Sequence, residues 1–443
     1  MSSVVGRLTG HFAKGRFSHH VAVLGGGTAV AQSLTLLFAP VLTRLYVPED
    51  VGRMGLYLAF AGIGGVASSL RYEVAIVSAV DDEEAALLTF LSMIFVIPTS
   101  LFSSAVLYLM IRKSVLGLGS LPAYTSLLAF PALFLSASFA ALRYWFIRKE
   151  SYGVISEAVV TQNATRAGSQ ALFGWWGFGW LGLFCGDLMG RVTGMGRMFR
   201  DAWPVIRALV IPLRAGKLFT VAQKYRKFPL YSLPSSLVDT LATGISLPII
   251  AQLYGTTDAG FFALVQRVLA VPILLVGTSV ADAFHSRMAK YSEPESRGIV
   301  PFFNRIAAGL LLVGLGPAIL LAFFGERLFT VAFGNTWMTA GSLAAVMAPW
   351  AMAQLVVSPL SRVVFVFQRQ EWKLVYDVVS LLTTVGTLYL GYSNGLSLLR
   401  TIRILSLISV VTYALYYLIL MRVVSTGIPQ RGTNVWDRGL RKR

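Results

Sequence analysis

Apolar runs of about twenty to thirty residues, broken by short polar turns, recur along the whole chain. An α-helix needs about 20 such residues to cross ~30 Å of hydrocarbon, and buried strands are far shorter. The pattern predicts twelve spans, at about 20–43, 53–79, 84–111, 121–145, 152–174, 177–195, 230–254, 258–284, 300–325, 339–366, 371–393 and 397–421. The fifth is interrupted by Glu157, Thr161, Gln162, Asn163, Thr165 and Arg166, and only Gly-Trp-Trp-Gly separates it from the sixth. The first run follows a basic tail but is too long for a signal peptide and lacks a cleavage site, so it reads as a retained helix.

The punctuation between spans repeats. Residues 40–56 and 248–264 share Pro40/Pro248, Leu45/Leu253, Tyr46/Tyr254, Asp50/Asp258, Gly52/Gly260 and Leu56/Leu264, always 208 positions apart. Each copy ends one apolar run, makes a tight turn and begins the next. That is the mark of an internal duplication, and in membrane transporters duplicated lobes commonly flank the transport path.

Composition agrees with a membrane solvent. Of 443 residues 56% are hydrophobic and 13% charged, against ~25% charged in soluble domains. One cysteine, Cys185, excludes an intramolecular disulfide and a cysteine-based metal cluster, and His11, His19, His20 and His285 are too scattered for a metal site. No metal or other cofactor is expected. With the N-terminus inside, 26 of the 38 Lys and Arg fall on the cytoplasmic side and 5 on the other. Both termini are then cytoplasmic. The net charge of +18 is accounted for by orientation and anionic lipid headgroups, and no segment is large enough to hold a nucleic-acid-binding fold.

These features predict an all-α polytopic membrane protein of about twelve transmembrane helices, in two pseudo-symmetric six-helix lobes around a central cavity. The lobes are expected at 18–195 and 230–423. A basic amphipathic connector, 196–229, would lie along the cytoplasmic membrane face, and a basic tail fills 424–443. Gly25-Gly-Gly27 and Pro40 leave the first span bendable and nominate it as a moving element.

Charges inside spans are costly and usually face a cavity or a partner. Arg267, in the apolar stretch from Phe261 to Pro272, is the foremost, with Arg166 and Arg71 beside it as candidates for an anionic substrate group. A guanidinium in such a place needs a protein carboxylate or a substrate phosphate. Asp239, Asp377 and Glu73 fit either a coupling-ion site or a structural ion pair. Glu157, Asp187, Arg305 and Arg362 lie near span ends, where they can snorkel or pair. Trp175, Trp176, Trp180 and Trp350 suit either the interfacial belt or stacking on sugars. No phosphate-binding loop and no catalytic His–carboxylate pair is present, so an enzyme is not expected.

Several stretches resemble the polysaccharide-transporter family. They are Leu42-Thr-Arg-Leu-Tyr46 through Gly52, Ser69-Leu-Arg71-Tyr-Glu73, the acidic turn 81–84, Tyr225-Arg-Lys-Phe-Pro-Leu-Tyr231, Gly260 through Arg267, and Phe333-Gly-Asn-Thr-Trp337. The resemblance implies two lobes of the multidrug-and-toxin-extrusion type and alternating access. It also implies movement of an undecaprenyl-diphosphate-linked oligosaccharide across the bacterial inner membrane for O-antigen or exopolysaccharide synthesis. A cationic cavity receives the diphosphate in related flippases, which fits Arg267 and Arg166. Proton or sodium coupling, membrane lipids and a polysaccharide polymerase with its chain-length machinery are the implied partners. A multidrug/cation antiporter of the same superfamily is the alternative, then an integral-membrane polymerase or ligase, then an assembly subunit. Past the repeat the copies diverge: Arg71-Tyr-Glu73 aligns with Ser279-Val-Ala281, and Arg267 with Ala59.

Overall fold

A computed structural model describes residues 25–210, 215–277, 298–367 and 369–426, with single positions at 280, 281, 284 and 288. The histidines named above, Pro212, Ser279 and the tail beyond Thr426 lie outside them. Every regular element among the described residues is helical. In order they are α1 Gly25–Leu45, α2 Pro48–Ser68, α3 Tyr72–Ala75, α4 Asp82–Arg112, α5 Tyr124–Arg148, α6 Tyr152–Trp175, α7 Trp180–Val210 and α8 Ala215–Lys224. There follow α9 Leu233–Gly244, α10 Ser246–Tyr254, α11 Thr256–Pro272, α12 Ile299–Phe333, α13 Met338–Leu360, α14 Val363–Val366, α15 Gln370–Ser393 and α16 Leu398–Thr426.

Eight of the described helices are long and apolar enough to cross a membrane, and a ninth if the pair bent by 46° at Gly244–Ser246 is one span. Large apolar side chains such as Leu127, Phe323 and Val331 are more than three-quarters exposed, as lipid-facing positions require. The protein is a multi-pass membrane protein. The twelve expected spans and these eight or nine differ at α6, α7 and α11; α11, at 17 residues, ends where the described residues become sparse. At 24 and 31 residues α6 and α7 both have the length to cross, but they carry polar side chains that face one another. Gly182, Gly186, Gly190 and Gly194 recur every fourth residue on α7, and a Cβ at the last three would overlap Gln162, Arg166 or Gln170 of α6. Small residues at this spacing let two backbones approach closely.

The chain falls into two compact units, one of residues up to Leu264 with Phe329–Ala340, the other of Val265–Leu328 with Gly341 onward. Both copies of the repeated turn lie in the first unit, and they touch. A Cβ on Gly52 would run into the carbonyl of Thr256, and one on Gly260 into the carbonyl of Pro48. Thr256 stands 208 positions after Pro48, as Gly260 does after Gly52, so the contact is reciprocal between equivalent residues. Gly55 adds a Cβ contact to its own counterpart, Ala263. Tyr46 is 3% exposed and its hydroxyl donates to the Gln170 carbonyl at 2.6 Å. Trp337, fully buried, donates to the Thr43 carbonyl at 2.8 Å. These motif residues build the scaffold.

The acidic turn caps α4. Asp81 accepts from the Glu84 amide at 2.8 Å, and the Glu84 carboxylate accepts from the Val80 amide at 2.8 Å, a reciprocal N-terminal box. Carboxylates of this turn also hold α8. Lys217 bonds Glu83 at 2.7 Å, and Lys224 bonds Glu84; that bond holds the Lys224 ammonium above the ordinary lysine range. Residues 196–210, expected as connector, instead continue α7. Met198, Ala202 and Ile206 are buried among Tyr72, Leu88, Trp145 and Ile155, so the amphipathic pattern there serves the unit's own core. The second unit packs Phe303, Leu360, Val363 and Leu420, with Tyr376 stacked on Tyr416 at 4.3 Å between ring centres.

Candidate functional site

Helix α2 stops at Ser68, and the chain turns through Leu70 at φ 51° and Arg71 at φ 64° before α3 begins. Two successive non-glycine residues in the left-handed region cost about 1–3 kcal/mol each, and such strain gathers at functional sites. It aims Arg71 into a pocket of about 540 Å³ in the first unit. Ala61, Gly62 and Gly65 of α2 leave the room, while α5 supplies Ser136, Phe139, Ala140, Arg143 and Tyr144, and α7 supplies Arg191. Glu73 is the one carboxylate among the described residues that line it. It is 4% exposed, accepts from the Ser69 hydroxyl and pairs with Arg71 at 3.4 Å. Three arginines against one carboxylate leave an excess of positive charge. The Arg71 Nε is buried without a hydrogen-bond partner, and no carboxylate pairs with Arg143 among the described residues.

Behind this wall Asp187, 3% exposed, joins two cations, with Arg191 at 2.6 Å and Arg166 at 3.9 Å. Arg166 also donates to Asn163 at 2.6 Å and to the Thr35 hydroxyl at 3.0 Å. Asp187 thereby fixes Arg191 at the rim of the pocket while a second arginine backs it. The chemistry on offer is recognition of an anion such as a phosphate by several guanidinium groups.

The six residues singled out from the sequence separate. Arg71 and Glu73 line the pocket together, and Arg166 sits behind it on Asp187. Asp239 is exposed on α9. Arg267 and Asp377 belong to the second unit, Arg267 exposed on α11 and Asp377 paired with Lys373 at 2.6 Å. Of the tryptophans, Trp180 is buried and donates to the Tyr124 oxygen at 3.3 Å. Trp175 and Trp176 are exposed. Arg143 and Arg191 were not anticipated, since both read as orienting charges at span ends.

A second pocket, of about 320 Å³, lies wholly in the second unit. One wall is Gln266, Leu269 and Ala270 of α11 with Ile273 of the helical turn that continues it. Each stands 208 positions after Leu58, Ala61, Gly62 and Gly65, which line the first pocket. The facing wall on α13 is Met347, Trp350, Ala351 and Gln354, spaced as Ser136, Phe139, Ala140 and Arg143 are on α5. The steps of three, four and seven put each set on one helix face. The two pockets therefore have equivalent walls.

The sequence profile of a family described as "polysaccharide biosynthesis protein" matches residues 41–342. The chain belongs to this family. The polysaccharide biosynthesis family brings a curated relative, the teichuronic acid biosynthesis protein TuaB of Bacillus subtilis (strain 168), 25% identical over 231 residues. That match covers 52% of this chain, which spans about half the length of the relative, 46%. Among solved structures the fold is similar to the lipid II flippase MurJ in an inward closed conformation. The TM-score is 0.67 and the identity 12%, over 91% of this chain and 89% of that one. It is also similar to an inward-facing multidrug resistance transporter of the MATE family, with a TM-score of 0.59 and 15% identity over 89% and 94%. A transporter of the same superfamily from Pyrococcus furiosus gives 0.59 and 14% over 92% and 95%. The folds this family member shares are those of transporters and flippases, not enzymes.

Proposed function

We propose that the protein is a flippase that carries an undecaprenyl-diphosphate-linked oligosaccharide repeat unit across the bacterial inner membrane by alternating access. The pocket formed by Arg71, Arg143 and Arg191 carries the reading. A diphosphate leaves water only where cations replace its hydration, and several guanidinium groups on helices that wall a cavity do that. The relative named for teichuronic acid biosynthesis and the fold neighbour named as a lipid II flippase support the same class of cargo. Arg166 and Arg267 are the further cations we assign to the path. The excess of Lys and Arg in the segments taken as cytoplasmic supports termini on that side. Of the three carboxylates considered for coupling, Glu73 lies within the pocket and is the one we favour.

A cation antiporter would need buried carboxylates facing its cargo, and this pocket sets three arginines against one carboxylate, Glu73, which is paired with Arg71. The test is replacement of the chromosomal copy by Arg143→Ala, which removes a guanidinium without disturbing any ion pair found here. Surface polysaccharide should fall at least about ten-fold, one guanidinium–phosphate contact being worth ~1.5–3 kcal/mol, with membrane insertion unchanged. Normal polysaccharide together with loss of drug resistance would favour the antiporter.

A further inference from the structure

We propose that the pocket in the second unit is a subsite for an uncharged sugar ring, the glycan counterpart of the anion pocket in the first. The proposal rests on the flippase reading above and adds to it where the saccharide is held. Equivalent walls make the differences between the pockets informative. Where the first has Leu58, Phe139 and Arg143, the second has Gln266, Trp350 and Gln354. The guanidinium has become an amide, a second amide replaces a leucine on the facing helix, and the aromatic has become an indole.

None of the described residues that line this pocket is ionisable, so among them neither a phosphate nor a cationic compound finds a counter-charge. An acyl chain would gain nothing from two primary amides, which are costly in an apolar wall unless bonded. Neither Gln266 nor Gln354 hydrogen-bonds another described residue, and both are partly exposed to the cavity they line. Each amide offers two donors and an acceptor, the complement of adjacent ring hydroxyls. The half-buried Trp350 offers a flat π-face of negative potential to the polarised C–H face of a pyranose. The volume of about 320 Å³ sits at the small end of the ~300–1000 Å³ typical of ligand sites, as a subsite for part of a larger molecule should.

Saturation-transfer difference NMR on the full-length protein, purified in a glycoside-free detergent, tests this with the methyl glycosides of glucose, galactose, rhamnose and N-acetylglucosamine. Inorganic diphosphate is titrated in parallel. At least one glycoside should receive saturation from the wild-type protein. Gln354→Leu, which keeps side-chain size and removes the amide, should weaken its binding about ten-fold, as should Trp350→Ala. Diphosphate affinity should be unchanged in both, which also certifies that the variants are folded. If Trp350→Ala proves unstable, Gln266→Leu takes its place. Unchanged sugar binding in the variants, or no glycoside bound by a wild-type protein that binds diphosphate, overturns the subsite. Absence of diphosphate binding to the wild type counts instead against the flippase reading.

Discussion

At Arg143 the first pocket presents a guanidinium, and at the matching position of the second, Gln354, an amide. The helices that face them, α2 and α11, start from the two copies of the repeated turn, and from there on the lining positions keep one offset. The walls share one geometry while their chemistry differs, one offering charge and the other neutral hydrogen bonding. A cargo with an anionic end and a neutral end asks for such a split. A cargo of one chemical kind gives no reason for it. The comparison depends on the shared scaffold, so the scaffold is the first thing to break.

The largest effect is expected at the reciprocal glycine contact. Gly52→Ala or Gly260→Ala places a methyl within the radius of a backbone carbonyl, and a backbone cannot swing aside as a side chain does. Overpacking of this sort costs ~1–3 kcal/mol and occasionally more. The upper end is expected, with sharply reduced folded protein on size-exclusion chromatography. Gly62→Ala is the control, because a Cβ there meets nothing nearer than 3.9 Å. Equal melting temperatures for Gly260→Ala and Gly62→Ala would remove the contact from its role.

Next in size is Asp187→Asn. It leaves Arg191 and Arg166 close together without their shared carboxylate, and breaking a buried pair costs ~3–5 kcal/mol. Both arginines keep some exposure, at 16% and 26% of the side chain, so about 2–3 kcal/mol is expected. Thermal unfolding in detergent should show the loss, and export should fall with it. Full stability would mean that Arg191 is held by something other than Asp187, and the first pocket would be less organised than its geometry implies.

How legible all this was depended on where polar residues face. The repeat was readable because turns are punctuated by glycine, proline and a short acid, and Gly52 and Gly260 indeed meet. Arg71 and Glu73 stood out as charges close together in an apolar context. Arg143 and Arg191 did not, because hydropathy ends a span where charge begins. Helix α7 runs on to Val210, well past the expected end at 195, since Met198, Ala202 and Ile206 are paid for by burial against the unit's own core rather than by lipid. Asp187 was set aside as a span-end residue for the same reason. Sequence averages register how apolar a helix is, not which side of it is buried. The neutral pocket was harder still, since glutamines draw attention only when a cavity is seen beside them.

The smallest effect is expected where the pockets differ least. Phe139 and Trp350 occupy matching positions and both are aromatic. In the first pocket the ring stands beside arginines, where a phosphate gains nothing from a larger π-face, so Phe139 serves as wall. Phe139→Trp should therefore leave export within about two-fold of wild type and stability within ~1.5 kcal/mol, since a cavity of about 540 Å³ has room for the added ring. The converse change, Trp350→Phe, keeps an aromatic but gives up part of the indole's face and should weaken sugar binding by about three-fold, within the ~0.5–1.5 kcal/mol of aromatic contacts. If the two exchanges act alike on export, the aromatic positions are equivalent in role as well as in register, and the division between the pockets must rest on Arg143 and Gln354 alone.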